Sequence, residues 1–129
     1  MLAFDLIVLV DDDPINNLIN NRLIKKLNPS VNIREFMEVE KALCFLNTPS
    51  KEKNLILLDI NMPVMNGWDF LLMYAKIKDK RRDKIIMLSS SIDNQDRQRA
   101  MGFSYVQGFI EKPLTGPKLE KALNSKPSK

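Results

Sequence analysis

The chain has 129 residues, 44% of them hydrophobic and 28% charged, with a formal net charge of +4. That length suits one domain, which would bury roughly two-thirds of the surface its unfolded chain exposes and leaves no room for a separate effector domain. No apolar run approaches the roughly 20 residues of a membrane helix, and the Lys and Arg residues are scattered apart from "KDKRRDK" at 78–84, which reads as a solvated loop and not a nucleic-acid face.

The first element is a strand, "LIVLV" at 6–10, within a start, "MLAFDLIVLV", that lacks a basic leader and contains Asp5. It therefore reads as a strand and not a signal peptide, and a cytoplasmic location is expected. The strand runs straight into Asp11, Asp12 and Asp13. Pro14 suits the first turn of a helix whose apolar stripe would be Ile15, Leu18, Ile19, Leu23 and Leu27, ended by "NP" at 28–29.

A second strand, "VNIREF" at 31–36, carries Asn32, Arg34 and Glu35 and reads as an edge. Val39, Ala42, Leu43 and Leu46 form a short helical stripe, with Cys44 read as a small core residue beside them. Being the single cysteine, Cys44 cannot form an intrachain disulfide, which agrees with a reducing compartment. A third strand, "LILLD" at 55–59, precedes the turn residues "MNG" and a helix with Phe70, Leu71, Tyr74 and Ile77 facing inward. A fourth, "IIMLS" at 85–89, leads to a mostly polar helix, 93–101, expected to pack lightly. The last strand, "VQGFIE" at 106–111, precedes a short helix from about 115 to 124 with Leu119, Ala122 and Leu123 inside; the tail 125–129 should fray. Alternating strands and helices of this kind build an open, doubly wound parallel α/β sheet, whose ligands sit beyond the carboxyl ends of the strands.

Those ends carry Asp11 to Asp13, Asp59, Ser89, and Lys112 with Pro113. Carboxylates gathered at one edge repel and lose solvation, so they call for open water or a cation, and oxygen ligands suit Mg²⁺. Taken singly, the aspartates could be a solvated turn capping the next helix, with Asp13 the best cap, and "SSS" at 89–91 could be a turn. Their joint occurrence at successive sheet exits is what favours a site. The absence of histidine excludes histidine-based catalysis, His-ligated metals and a phosphohistidine carrier.

From about residue 5 to 124 the chain resembles the receiver domain of two-component response regulators, the CheY-like family. "VLVDDDP" resembles the family's acidic pair, "LLDINMPVMNG" its phosphoacceptor strand and loop, "IIMLSSS" its hydroxyl strand and "FIEKPL" its lysine-proline element. The resemblance implies a flavodoxin-like doubly wound five-stranded parallel sheet, order 2-1-3-4-5, with five helices, forming a single receiver domain over 1–129. It implies that Asp59 accepts a phosphoryl group from a histidine kinase or phosphotransfer protein, aided by Lys112. Mg²⁺ would be held by Asp11, Asp12, Asp59 and the backbone carbonyl of Asn61.

Ser89 would bond the phosphoryl oxygen after transfer, and Ser89 with Phe109 would form the switch. The Lys112–Pro113 bond would be cis, and Gly67 would permit a tight turn. A downstream protein would read about 92–101 and 106–124. Asn61 and Ser91 occupy positions that tune dephosphorylation in the family. The chain departs from the family in having Ser89 where threonine is common and Phe109 where tyrosine is frequent, and "MGFSYVQGF" lacks the usual small-residue turn. The expected function is a stand-alone receiver that catalyses only its own phosphorylation and dephosphorylation. Two rivals are a small aspartate-nucleophile phosphatase using Asp11 and Asp13, and a receiver-like interaction module that is never phosphorylated.

Overall fold

The structure is a computed structural model that describes residues 4–62, 65–90 and 93–124. Each apolar run read as a strand forms one: β1 (Leu6–Val10), β2 (Asn32–Phe36), β3 (Asn54–Asp59), β4 (Lys84–Ser89) and β5 (Val106–Glu111). Between and after them lie α1 (Pro14–Leu27), α2 (Val39–Leu46), α3 (Gly67–Tyr74), α4 (Asn94–Met101) and α5 (Gly116–Asn124). All four strand pairings are parallel, in the order β2-β1-β3-β4-β5. The order reverses between β1 and β3, so the crevice of this doubly wound sheet opens at their carboxyl ends.

Alternate strand residues feed two cores. Ile7, Leu9, Leu55, Leu57, Ile86 and Leu88 face α1 and α5, meeting Ile24 and Leu119. Val8, Val10, Ile56, Leu58, Ile85 and Met87 face the other side, meeting Leu46 of α2, Phe70 and Leu71 of α3 and Ala100 of α4. Burial on both faces explains why β1, β3 and β4 read as unbroken apolar runs, each side chain contributing about 1.5–3 kcal/mol. The edge strand β2 alternates little and is mostly exposed, as its charged residues require. α4 buries Ala100 alone, in keeping with its polar sequence.

Several expectations need correction. α1 does not bury the stripe of Ile15, Leu18 and Ile19; these are 65%, 48% and 55% exposed, and the buried residues are Asn17, Asn20 and Ile24. Helical spacing allows either stripe, and the docked face is the one whose Asn17 can bond the end of β1. Cys44 is exposed, because the inward side of α2 is set by Val39, Ala42, Leu43 and Leu46 and residue 44 falls outside that arc. α3 ends at Tyr74, so Ile77 packs on the core from beyond the helix.

The segment 78–84 is not simply solvated. Its Lys78–Lys80 turn is 3-10, and the side chains of Arg81 and Asp83 are buried as an ion pair, Nε to Oδ2 at 2.6 Å. The Tyr74 hydroxyl donates to the same carboxylate oxygen at 2.6 Å, and Arg81 donates to the Thr48 carbonyl at 2.5 Å. Charges come inside here because each finds a partner.

Candidate functional site

The corner between β1 and α1 is built by hydrogen bonds from its own aspartates. The Asp11 amide donates to the Phe36 carbonyl at 3.0 Å, extending the β1–β2 pairing past Val10. One Asp11 carboxylate oxygen accepts the Asp13 amide at 2.9 Å, which turns the chain toward the helix. Asp13 then accepts the Ile15 amide at 2.9 Å as the N-cap, and Pro14 begins the helix where no amide donor is needed. Asp13 is thus the cap the sequence suggests. Asp11 is 3% exposed at this corner, whereas Asp12 is exposed.

Asp59 closes β3 on the neighbouring strand end and is also 3% exposed. Carboxylate oxygens of Asp11, Asp12 and Asp59 lie within 4.8 Å of one another. Lys112 reaches in from the end of β5, its Nζ 3.1 Å from Asp11 Oδ2 and 3.1 Å from Asp59 Oδ1. The Lys112 backbone amide donates to the Ser89 carbonyl at 2.7 Å, and the Lys112–Pro113 peptide is cis, as the sequence reading expects. Ser89 itself is buried at the end of β4, between the strands that carry Asp59 and Lys112.

Burial pushes the Asp59 carboxyl above its ordinary range and the nearby Asp11 carboxylate adds to the effect; the Lys112 ammonium and the Asn61 backbone amide, which both bond it, hold the rise back. Burial alone would lower the Lys112 ammonium, but its bonds to Asp11 and Asp59 outweigh that and raise it. Three carboxylates against one ammonium leave a formal charge of 3 − 1 = 2 negative units in the pocket. An all-oxygen, doubly negative donor set fits a hard divalent cation such as Mg²⁺.

Gly67 holds α3 against this pocket for a different reason than the one expected. No described glycine has positive φ, so no left-handed turn is involved. A Cβ at Gly67 would instead stand 2.8 Å from the Asp59 carbonyl oxygen and 2.9 Å from the Ile60 Cα, so the start of α3 packs directly on the backbone of the acidic strand. Asn66 and Asp69 fix that start through a reciprocal capping box.

Asp11, Asp12, Asp59 and Lys112 are therefore brought together. Asn61 is exposed beside them, offering its amide to Asp59. Phe109 lies farther along β5, half-buried, with its ring centre 5.9 Å from the Arg97 guanidinium carbon on α4. It lines a groove shared by α4, β5 and α5 with Arg97, Met101, Lys118 and Lys121, on the face expected to meet a downstream protein. Ser91 lies outside the described residues. Sequence reading missed Asn17, whose side-chain amide donates to the Asp11 carbonyl at 3.0 Å. Its signal was faint: four asparagines, Asn16, Asn17, Asn20 and Asn21, in a helix that such residues disfavour, the first two next to an acidic strand end.

Comparison with known proteins agrees with this architecture. The response regulator receiver domain model matches residues 7–124. A two-component response regulator from Cytophaga hutchinsonii superposes with a TM-score of 0.81 at 29% identity, covering 94% of this chain and 95% of that one. Ethylene receptor 2 of Oryza sativa subsp. japonica is 29% identical over 113 residues, 84% of this chain, and the gliding motility regulatory protein of Myxococcus xanthus is 30% identical over 95 residues, 74% of this chain. The matched segments make up 14% and 12% of those two relatives. The chain belongs to the response regulator receiver domain family of two-component systems. Phosphorylation and Mg²⁺ are typical of that family.

Proposed function

We propose that Asp59 is the phosphoacceptor and that a partner's phosphohistidine is the donor. The observation that carries this reading is the convergence of Asp59 with Asp11, Asp12 and Lys112 on one strand-end pocket. An Asp59 carboxylate oxygen attacks phosphorus, a P–O bond forms, the P–N bond breaks, and the departing imidazole takes a proton from water. Asp11, Asp12, Asp59 and the Asn61 carbonyl would hold Mg²⁺, which would supply charge neutralisation for the phosphoryl oxygens. Lys112, already paired to Asp59, shifts its bond to the transferred group, and Ser89 at the next strand end supplies a hydroxyl donor. The chain on this reading turns over no other substrate.

The donor protein docks on the exposed apolar face of α1, where Ile15, Leu18 and Ile19 stand beside the capped acidic corner. A patch of that kind on a helix fits the apolar side of another helix. Output goes to a separate protein that reads the α4–β5–α5 face, with Ser89 and Phe109 relaying the phosphoryl charge. The phosphatase alternative is weakened by Asp13, whose carboxylate caps α1 and is not poised as an acid.

The test is incubation with acetyl phosphate and Mg²⁺ followed by intact mass measurement. Wild type should gain one phosphoryl group, chelation should abolish the gain, and Asp59→Asn should gain none. Equal labelling of Asp59→Asn would remove the assignment. Sustained hydrolysis of phosphate esters blocked by Asp11→Asn but not by Asp59→Asn would favour the phosphatase.

A further inference from the structure

We infer that Asn17 is a positioning residue for the cation pocket, holding the β1–α1 corner so that Asp11 and Asp12 present their carboxylates together. The inference rests on the reading of that pocket given above. Asn17 is 1% exposed in the second turn of α1, and its Nδ2 donates to the Asp11 backbone carbonyl at 3.0 Å, a buried bond. Its own amide donates to the Asp13 carbonyl at 3.1 Å as the first bond of the helix ladder, so the contact specific to the asparagine side chain is the one to Asp11. The Asp11 side chain meanwhile bonds the Asp13 amide and Lys112. With its backbone carbonyl clamped from below and its carboxylate directed from two sides, Asp11 is held at both ends.

The rest of the asparagine points to a role beyond packing. Asn17 Oδ1 is buried with no hydrogen-bond partner among the described residues. An unpartnered buried acceptor is unfavourable, and the same helix face continues into Ile24 and the core of Ile7, Leu9 and Leu119, where an apolar side chain would lose nothing by burial. Meanwhile the aliphatic residues of this turn, Ile15, Leu18 and Ile19, face solvent. The position thus favours leucine by burial and carries asparagine, and the one bond its side chain makes is to the residue that begins the acidic corner. Groups that orient metal ligands from behind commonly control metal affinity.

The experiment compares Mg²⁺ dissociation constants, by calorimetric titration of the full chain, with melting temperatures in EDTA. Asn17→Leu should weaken Mg²⁺ binding about 10- to 100-fold while moving the metal-free melting temperature little, since one orphaned acceptor is removed as one carbonyl loses its donor. Asn20→Leu, also buried on the same helix and with no bond to the corner among the described residues, should leave the Mg²⁺ constant at the wild-type value. Should Asn17→Leu fail to fold, Asn17→Ser, polar but too short to reach the carbonyl, is judged by the same constant. A wild-type Mg²⁺ constant in the Asn17 variant, or equal weakening by Asn20→Leu, overturns the positioning role and leaves the pocket standing. Failure of the wild type to bind Mg²⁺ removes the pocket and this inference together.

Discussion

Arg81 and Asp83 show how single residues secure the end of the sheet opposite the acidic pocket. Their buried pair joins the approach to β4 to the Thr48 carbonyl, with Tyr74 as a third partner. Arg81→Ala would leave the Asp83 carboxylate buried with the phenol as its donor, and urea denaturation should show a loss of about 3–5 kcal/mol, the usual effect of orphaning a buried charge. Tyr74 and Tyr105 are the chain's two tyrosines. Burial raises both phenols above their ordinary value of 10.0, and Asp83 raises Tyr74 further. As pH climbs past that value the unfolded chain releases phenolic protons that the folded chain keeps, so this contribution to stability is full below it and declines above it. Phenolate absorbance in a pH titration should therefore rise together with loss of circular dichroism, not ahead of it. An early rise of both rings would contradict the burial.

α1 is the element where pattern and packing part company. Its apolar residues divide between two helix faces, and periodicity cannot say which one the sheet takes. What decides is local chemistry at the strand end, where Asn17 meets the Asp11 carbonyl, and that contact exists only once β1 and α1 are docked. Leu18→Ser and Ile19→Ser should accordingly leave the melting temperature within experimental scatter, as surface changes do, whereas Ile24→Ala should cost about 2–5 kcal/mol. If the serine variants melt as badly as Ile24→Ala, the face assignment is wrong. With the fold intact, the same serine variants should slow transfer from a phosphohistidine protein more than labelling by acetyl phosphate. Cys44 differs from its expected place for a related cause: it belongs to an apolar run but lies outside the arc of α2 that is buried.

Across the whole molecule, the strands and the residues at their ends are legible from strong local signals, whereas the strand order rests on the resemblance to receiver domains and the structure shows it. Doubly buried strands are continuous apolar runs, and the candidate site residues close them at Asp59 and Ser89 or follow them at Asp11 and Lys112. What was not legible depends on contacts between distant segments, such as the Gly67 approach to the Asp59 backbone and the Arg81 bond to Thr48. If the crowded pocket takes up Mg²⁺ as proposed, its occupancy would add to stability by mass action. Mg²⁺ at 100 times its dissociation constant should raise unfolding stability by about 2.7 kcal/mol. Asp12→Asn should lose most of that gain while melting higher than wild type in EDTA, and an unchanged response would mean the carboxylates do not act on one ion.

α4 differs from the other helices in what keeps it in place. Ala100 is its one buried residue, and Arg97 and Arg99 rest on the rings of Phe109 and Trp68, the latter with its guanidinium carbon 4.3 Å from the ring centre. A helix held by one small side chain and two cation contacts can detach without opening the cores on which β1, β3 and β4 depend. Its amide protons should then exchange with deuterium through local excursions, well before those of the central strands, whose exchange awaits global unfolding. Transfer of a phosphoryl group to Asp59 would be read in the same measurement as a change in α4 protection, making this loosely tethered segment the part of the chain whose breathing a signal can most readily alter.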